Sequence, residues 1–384
     1  MPEWSFVAGG EASRVAGDAA ETRAKLRLLR QAMFGADLDA VYLERWANVA
    51  WLCGGRGNRV VRDIPEGLCG VLVGHNGAWL LTPNNEEARM RAEAFAGLEL
   101  PVVSRAWYEL PLWRSALPRV PEGAPWAADI RIPGAADAEP LMAPLRRHLD
   151  GAEQARYRAL GRDTAEALES ALLEVTPGWS ELHVAAAIAA ELLARDIDPA
   201  VLLVGSGERA LRFRHPVPMD VPAEGSLIAS VTAVRFGLHA STTRCVSFGP
   251  APAPLRDRHM AAANVDAMYL SHSRPGATLG DVLEAGEEAY EFLGYYDDWK
   301  EHHQGGTTGY AGRELFALPG SEEVIAAGNA VAWNPTVPGA KSEDTVLVTE
   351  QGLELLTSRP DSPWPVLIPE HAPGIPRLGL LQQT

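Results

Sequence analysis

Among the side chains between positions 215 and 343 that suit binding ions or moving protons, five stand in telling sequence settings: His215, His302, His303, Arg313 and Glu343. His215 lies in Arg214-His215-Pro216-Val217-Pro218, a proline-rich loop after Gly205-Ser206-Gly207 that can present the ring to a cleft. An imidazole titrates near neutral pH, as a general base and acid must. The plainer alternative is a surface histidine. Arg313, in Ala311-Gly312-Arg313-Glu314, keeps its charge and can give two parallel hydrogen bonds to one carboxylate. The alternative for it is a fixed ion pair with a neighbouring acid such as Glu314. His302 and His303 precede Gly305, Gly306, Gly309 and Gly312, which either allow close backbone approach or form turns and bulges. Adjacent strand residues point to opposite faces, which argues against both histidines binding one ion. No Gly-Lys-Ser/Thr closes the run, which argues against a phosphate loop.

Upstream, Ser226 to Gly249 reads as a hairpin. Gly225 opens a strand, Ser230 and Ser241 stand eleven residues apart across a turn at Phe236-Gly237, and Thr243-Arg244 follow on the return strand. In this layout the chain resembles the pita-bread, M24-like family of creatinases, prolidases and Xaa-Pro aminopeptidases. In the metal-dependent members the two hairpin positions carry aspartates, and a histidine and two glutamates arrive later. Those positions fall on Ser230, Ser241, Gly306, Asn334 (in Ala332-Trp333-Asn334-Pro335) and Glu343, so only the last is acidic. Hard divalent cations need several anionic oxygens to offset their dehydration. The expectation is therefore no bound metal and no cofactor.

The resemblance also implies roles. His215 takes the place of the creatinase proton-transfer histidine, and Gly312-Arg313-Glu314 matches the creatinase motif whose arginine holds the substrate carboxylate. His302 maps onto a substrate-contacting histidine, with His303 as the alternative. Glu343 maps onto a glutamate that accepts hydrogen bonds from the substrate's cationic nitrogen, although Lys341 or Arg313 could supply the cation instead. The candidate catalytic residues are thus His215, His302 and Glu343. The candidate substrate-binding residues are Arg313, His303, Tyr310, Asn334, Ser230, Ser241 and Thr243, the serines and Thr243 lining a vacated metal cavity. Thr243 or a neighbour replaces a second creatinase glutamate, which argues against creatine itself.

These assignments lead to a metal-independent creatinase-like hydrolase acting on a C–N bond of a small molecule with a carboxylate and a cationic nitrogen. One alternative is a prolidase-like dipeptidase recruiting metal through Glu343, Asp344 and a histidine. The other is a non-catalytic homologue that binds an amino-acid-like ligand. The resemblance further implies a homodimer, in which Arg56, Arg59, Arg62 or Trp51 would reach the partner's site in trans; the alternative for these arginines is a solvated loop.

The elements that must position these residues follow from periodicity. Leu26, Leu29, Ala32 and Met33 predict a helix over 19–35 ended by Gly35, and strands are expected at 39–43, 70–73 and 78–81. Further helices are predicted at 140–148, 153–175, 181–194, 256–270 and 280–293. In the third of these, Leu182, Ala185, Ala186, Ala189 and Leu193 form the apolar side, and Ser180 is the N-cap after Thr176-Pro177-Gly178-Trp179. Two domains are expected: residues 1–149, an α/β unit resembling the creatinase/prolidase N-terminal domain, and residues 150–384, an α+β pita-bread unit. A chain of 384 residues with 47% apolar residues can bury two cores. Its net charge of -16 argues against nucleic acid and anionic membranes as partners. Met1-Pro-Glu-Trp-Ser5 lacks the features of a secretion signal, so a cytoplasmic location is expected. Cys53, Cys69 and Cys245 are odd in number and irregularly spaced, which argues against disulfides and a cysteine zinc site.

Overall fold

The computed structural model describes residue 6, residues 9–176 and residues 178–383. Met1 to Ser5 and Pro177, both used in the sequence reading, lie outside the described residues. The chain divides into two compact units. One comprises Val15–His148 with Phe236–Leu238, and the other Leu149–Arg235 with the residues from His239 onward. Residues 9–14 belong to the second unit rather than to the first, as the 1–149 expectation had them, and Ser13 N–H donates to Ala155 O at 2.8 Å.

The first unit is built on a six-stranded sheet in the order Val102–Arg105, Ala78–Pro83, Glu66–Gly74, Ala40–Arg45, Trp126–Ala128, Ala136–Asp137. Its helix Ala19–Gly35 is capped by Asp18, whose carboxylate accepts from Ala20 N–H and Glu21 N–H. Gly35 is the last helical residue and not the left-handed one expected of a terminal glycine. That conformation falls on Asp37 at φ 55°, and Leu38 N–H reaches back to Met33 O at 2.9 Å to close the end. Trp51 is wholly buried inside this unit with the Lys25 ammonium 5.0 Å from its ring, which removes it as a contact to a partner's site. The Arg59 guanidinium stacks 4.3 Å over Trp46, and Arg56 Nε donates to Gly17 O at 3.0 Å.

The second unit has the α+β pita-bread architecture. A four-stranded sheet runs Leu380–Gln383, Leu238–Phe248, Ser226–Arg235, Asp198–Ser206, so the predicted hairpin supplies its middle. A five-stranded sheet runs Leu315–Phe316, Gly305–Thr308, Ala330–Trp333, Asp344–Thr349, Gly352–Leu355. The helices Gly151–Leu173, Glu181–Leu193, Ala253–His272 and Leu279–Phe292 belong to the same unit. Asp150 and Glu153 form a reciprocal capping box on the first, and Ser180 caps the second. Val265, Leu270, Val282, Tyr290, Val331, Trp333 and Val346 share one core, in which Tyr269 and Trp333 stack at 4.7 Å. Each such buried apolar side chain contributes about 1.5–3 kcal/mol.

One helix face differs from the sequence reading. On Glu181–Leu193 the buried residues are Val184, Ala185, Ile188 and Leu192, while Leu182 and Leu193 face solvent. This helix is apolar on nearly all sides, so periodicity alone could not select the packed stripe. The three cysteines are buried and unpaired. Among the described residues no helix is long and apolar enough to cross a membrane.

Candidate functional site

The stretch Ala340–Asp344 runs extended into the five-stranded sheet, so its side chains alternate. Lys341 and Glu343 face a cavity of about 310 Å³, whose walls include His215, Ser230, His303, Arg313 and Asn334. Ser342 and Asp344 face the opposite way. Ser342 Oγ donates to Asp266 at 2.6 Å. Asp344 is saturated by Thr242 Oγ1 at 2.9 Å, Thr357 Oγ1 at 2.8 Å, Arg244 at 3.0 Å and Arg377 at 2.6 Å. Both Asp344 oxygens are therefore committed, and Asp344 cannot also serve as the metal ligand of the dipeptidase alternative.

Glu343 is the hub of the cavity. Its Oε2 accepts from Thr243 Oγ1 at 2.7 Å and pairs with Lys341 Nζ at 2.9 Å, while its Oε1 lies 3.7 Å from the Arg313 guanidinium. Burial pushes its carboxyl pKa up, but Lys341, Arg313 and the hydrogen bonds outweigh that and hold it below the usual range. The Thr243 proton is spent on Glu343, so Ser230 Oγ donates to Thr243 Oγ1 at 2.7 Å. Arg313 gives one N–H to Gly312 O at 2.7 Å and leaves its Nε without a partner, as is Asn334 Oδ1.

The three histidines converge. The rings of His215 and His302 are 4.8 Å apart, and those of His302 and His303 stack at 4.6 Å and 17°. The expectation that adjacent histidines would point to opposite faces is thereby corrected. The strand begins only at Gly305, and His302 follows the short helical turn Asp298–Glu301, so strand alternation does not govern the pair. Burial, then Lys341, lowers the His215 pKa. Burial and the surrounding cations lower His302 to about 2, and burial and Arg313 lower His303 to about 4. All three rings are thus neutral at pH 7, and neither ring nitrogen of buried His302 has a hydrogen-bond partner.

The donor set does not fit the dinuclear metal centre of the metal-dependent pita-bread enzymes. Ser230 bonds Thr243, Ser241 Oγ pairs with Thr232 Oγ1 at 3.0 Å, and the Lys341 ammonium occupies Glu343. At Gly306 the backbone itself excludes the histidine: φ is 144°, and a Cβ there would meet Leu315 O at 2.0 Å. The His215, His302 and His303 nitrogens lie within 4.8 Å of one another. However, the near-parallel rings of His302 and His303 do not aim their lone pairs at one point, and Lys341 and Arg313 add positive charge.

Four expected site residues lie off the cavity wall. Tyr310 is buried with its hydroxyl donating to Glu153 at 2.9 Å, which makes it a structural tie. Ser241 and Thr243 lie behind the cavity wall, held by Thr232 and Glu343. His302 sits beneath His215 and His303 instead of on the wall. Two ionisable wall residues, Lys341 and His239, lie outside the expected catalytic and substrate-binding sets. Lys341 could have been found from its spacing two before Glu343 on an extended stretch, and His239 from its place two before Ser241 on the hairpin.

Comparison with known proteins adds a family. Residues 155–350 match the model of metallopeptidase family M24, and residues 25–124 match that of the creatinase/prolidase N-terminal domain. The agropine synthesis cyclase of Rhizobium rhizogenes is 31% identical over 248 residues, 58% of this chain. The match spans 62% of that relative, less than two thirds of its length. Among solved structures, dipeptidase PepE from Mycobacterium ulcerans is similar with a TM-score of 0.75 at 20% identity, over 96% of this chain and 100% of that one. The prolidase from Pyrococcus horikoshii is similar with a TM-score of 0.74 at 18% identity, over 87% and 98%. At such identities the likeness speaks for the fold alone.

Proposed function

The chain belongs to metallopeptidase family M24, and from that premise we propose that it is a metal-independent hydrolase of a C–N bond in a small carboxylate-bearing molecule. The observation that carries this reading is the Lys341–Glu343 pair at 2.9 Å, which gives the last acidic ligand position to a side-chain ammonium. Arg313, whose side chain lines the cavity, supplies the planar guanidinium for the substrate carboxylate. His215, neutral at pH 7, removes a proton from water and later returns it to the departing nitrogen. His302 packs against it at 4.8 Å and is itself backed by the stacked His303 ring, which positions the proton-transfer group.

One part of the expectation changes. Two cations, Lys341 and Arg313, face one carboxylate, so the cavity favours a ligand of net negative charge. The substrate nitrogen is accordingly proposed to be neutral, with Glu343 Oε1 available to accept its N–H.

The relative named as a cyclase favours a second reading. The same proton transfer could activate a nucleophile within the substrate and close a ring instead of admitting water. The test is turnover of N-acyl amino acids and carboxylated amides in ¹⁸O-labelled water, with and without a chelator. Hydrolysis predicts chelator-resistant turnover with ¹⁸O in the product, and cyclisation predicts a ring without ¹⁸O. Loss of turnover on chelation, with manganese or zinc bound stoichiometrically, would defeat the metal-independent reading.

A further inference from the structure

Lys341 is buried, 8% exposed, on the short strand Ala340–Lys341 paired with Thr336–Val337. Its ammonium carries three N–H groups, of which one is directed to Glu343 Oε2 at 2.9 Å. The other two have no protein partner among the described residues, and Lys341 lines one cavity with Arg313 and Asn334, whose buried Nε and Oδ1 atoms also lack a hydrogen-bond partner. Buried polar groups left open together on one wall mark the place of a polar ligand.

We propose that Lys341 is the electrophile of this site: its two open N–H groups hydrogen-bond the oxygen of the carbon under attack and stabilise the charge that gathers there. This rests on the reading of a small carboxylate-bearing substrate given above. In the step, His215 takes a proton from water as the water oxygen bonds to the substrate carbon. The C=O π pair moves onto the oxygen facing Lys341. When that pair returns, the C–N bond breaks, and the nitrogen leaves with the proton held by His215. No other reactant is required.

The division of labour between the two cations follows from their shapes. Arg313 offers a planar fork that suits the two oxygens of a carboxylate, whereas Lys341 is a compact point charge that suits a single developing oxyanion. Glu343, itself fixed by Thr243 Oγ1 at 2.7 Å, holds the ammonium in advance, so little reorganisation is needed when charge appears. The same ammonium helps keep His215, His302 and His303 neutral.

Two probes separate the cations. Acetate offers only a carboxylate, while phosphonoacetate adds a tetrahedral oxyanion. By calorimetric titration, acetate affinity is expected to fall at least about tenfold in Arg313→Met but only about two- to threefold in Lys341→Met, which removes a general attraction for anions. Phosphonoacetate affinity is expected to fall about a hundredfold in Lys341→Met and to recover partly in Lys341→Arg. Lys341→Met strands a buried carboxylate, so the double variant Lys341→Met/Glu343→Gln, checked by circular dichroism melting, repeats the comparison with a neutral pair. If phosphonoacetate binding is unchanged without Lys341 yet falls without Arg313, Lys341 is only the counter-ion of Glu343 and the proposal fails, with the carboxylate reading intact. If wild-type protein binds neither probe, the carboxylate reading itself fails and takes this proposal with it.

Discussion

A histidine acts as a base at neutral pH only while its ring is uncharged, and burial together with Lys341 lowers the His215 pKa below its ordinary 6.5. The neutral form therefore persists to a more acidic pH than for a free imidazole, and the acid limb of kcat/KM is expected below pH 6.5. Lys341→Met should move that limb to higher pH, and His215→Ala should lower kcat by about 10²–10⁴ at every pH. A pH–rate profile between pH 4 and 9 reads all three. His302, at about 2, adds no limb in that range. At this scale the sequence made His215, Arg313 and Glu343 legible, because motif spacing fixes where such groups enter a cleft. It could not show that the Tyr310 hydroxyl turns inward to Glu153, since a side chain's direction depends on the partner it meets far along the chain.

Among the elements, the strand Gly305–Thr308 decides what the site can hold. A methyl group at Gly306 would enter the Leu315 carbonyl at 2.0 Å, at a φ of 144° that side chains rarely adopt. Gly306→Ala is expected to lower stability by about 2–4 kcal/mol in urea unfolding. Gly35→Ala, in a helix with open space around the site, should instead raise it by about 0.5–1 kcal/mol. Equal effects of the two substitutions would contradict the strand geometry. The hairpin, the cap at Ser180 and most helices were readable from periodicity and capping residues, whereas the capping box at Asp150 was not read. The inward face of Glu181–Leu193 was not, because Leu182 and Leu193 compete with Val184, Ile188 and Leu192 for the same core. Nor was the His302–His303 stack, which exists because the chain is still leaving a helical turn there.

For the whole molecule, pH acts through buried rings that cannot easily accept a proton. His259 on the helix Ala253–His272 is buried with Nε2 unpartnered, and burial lowers its pKa to about 4. The unfolded chain binds that proton near 6.5, so this stability is fully present above pH 6.5 and is lost as pH falls toward 4. The loss amounts to about 3 kcal/mol. His259→Phe should flatten the stability profile across that window in denaturant unfolding, and an unchanged slope would show that other groups govern it. The family resemblance was legible from residue order alone. The attachment of residues 9–14 to the second unit was not, because nothing in a short terminal segment encodes its distant neighbour at Ala155.

The four residues Lys341 to Asp344 thus answer to two separate demands. On one side, Ser342 and Asp344 are tied to Arg377, Arg244 and Asp266 in a buried ionic lattice that keeps the sheet floor rigid. On the other, Lys341 and Glu343 line the cavity as one ion pair, where a matched exchange of both alters what the site can bind while Ser342 and Asp344 keep their ties. Such a two-sided ribbon lets a lineage trade one chemistry for another while its architecture stands still.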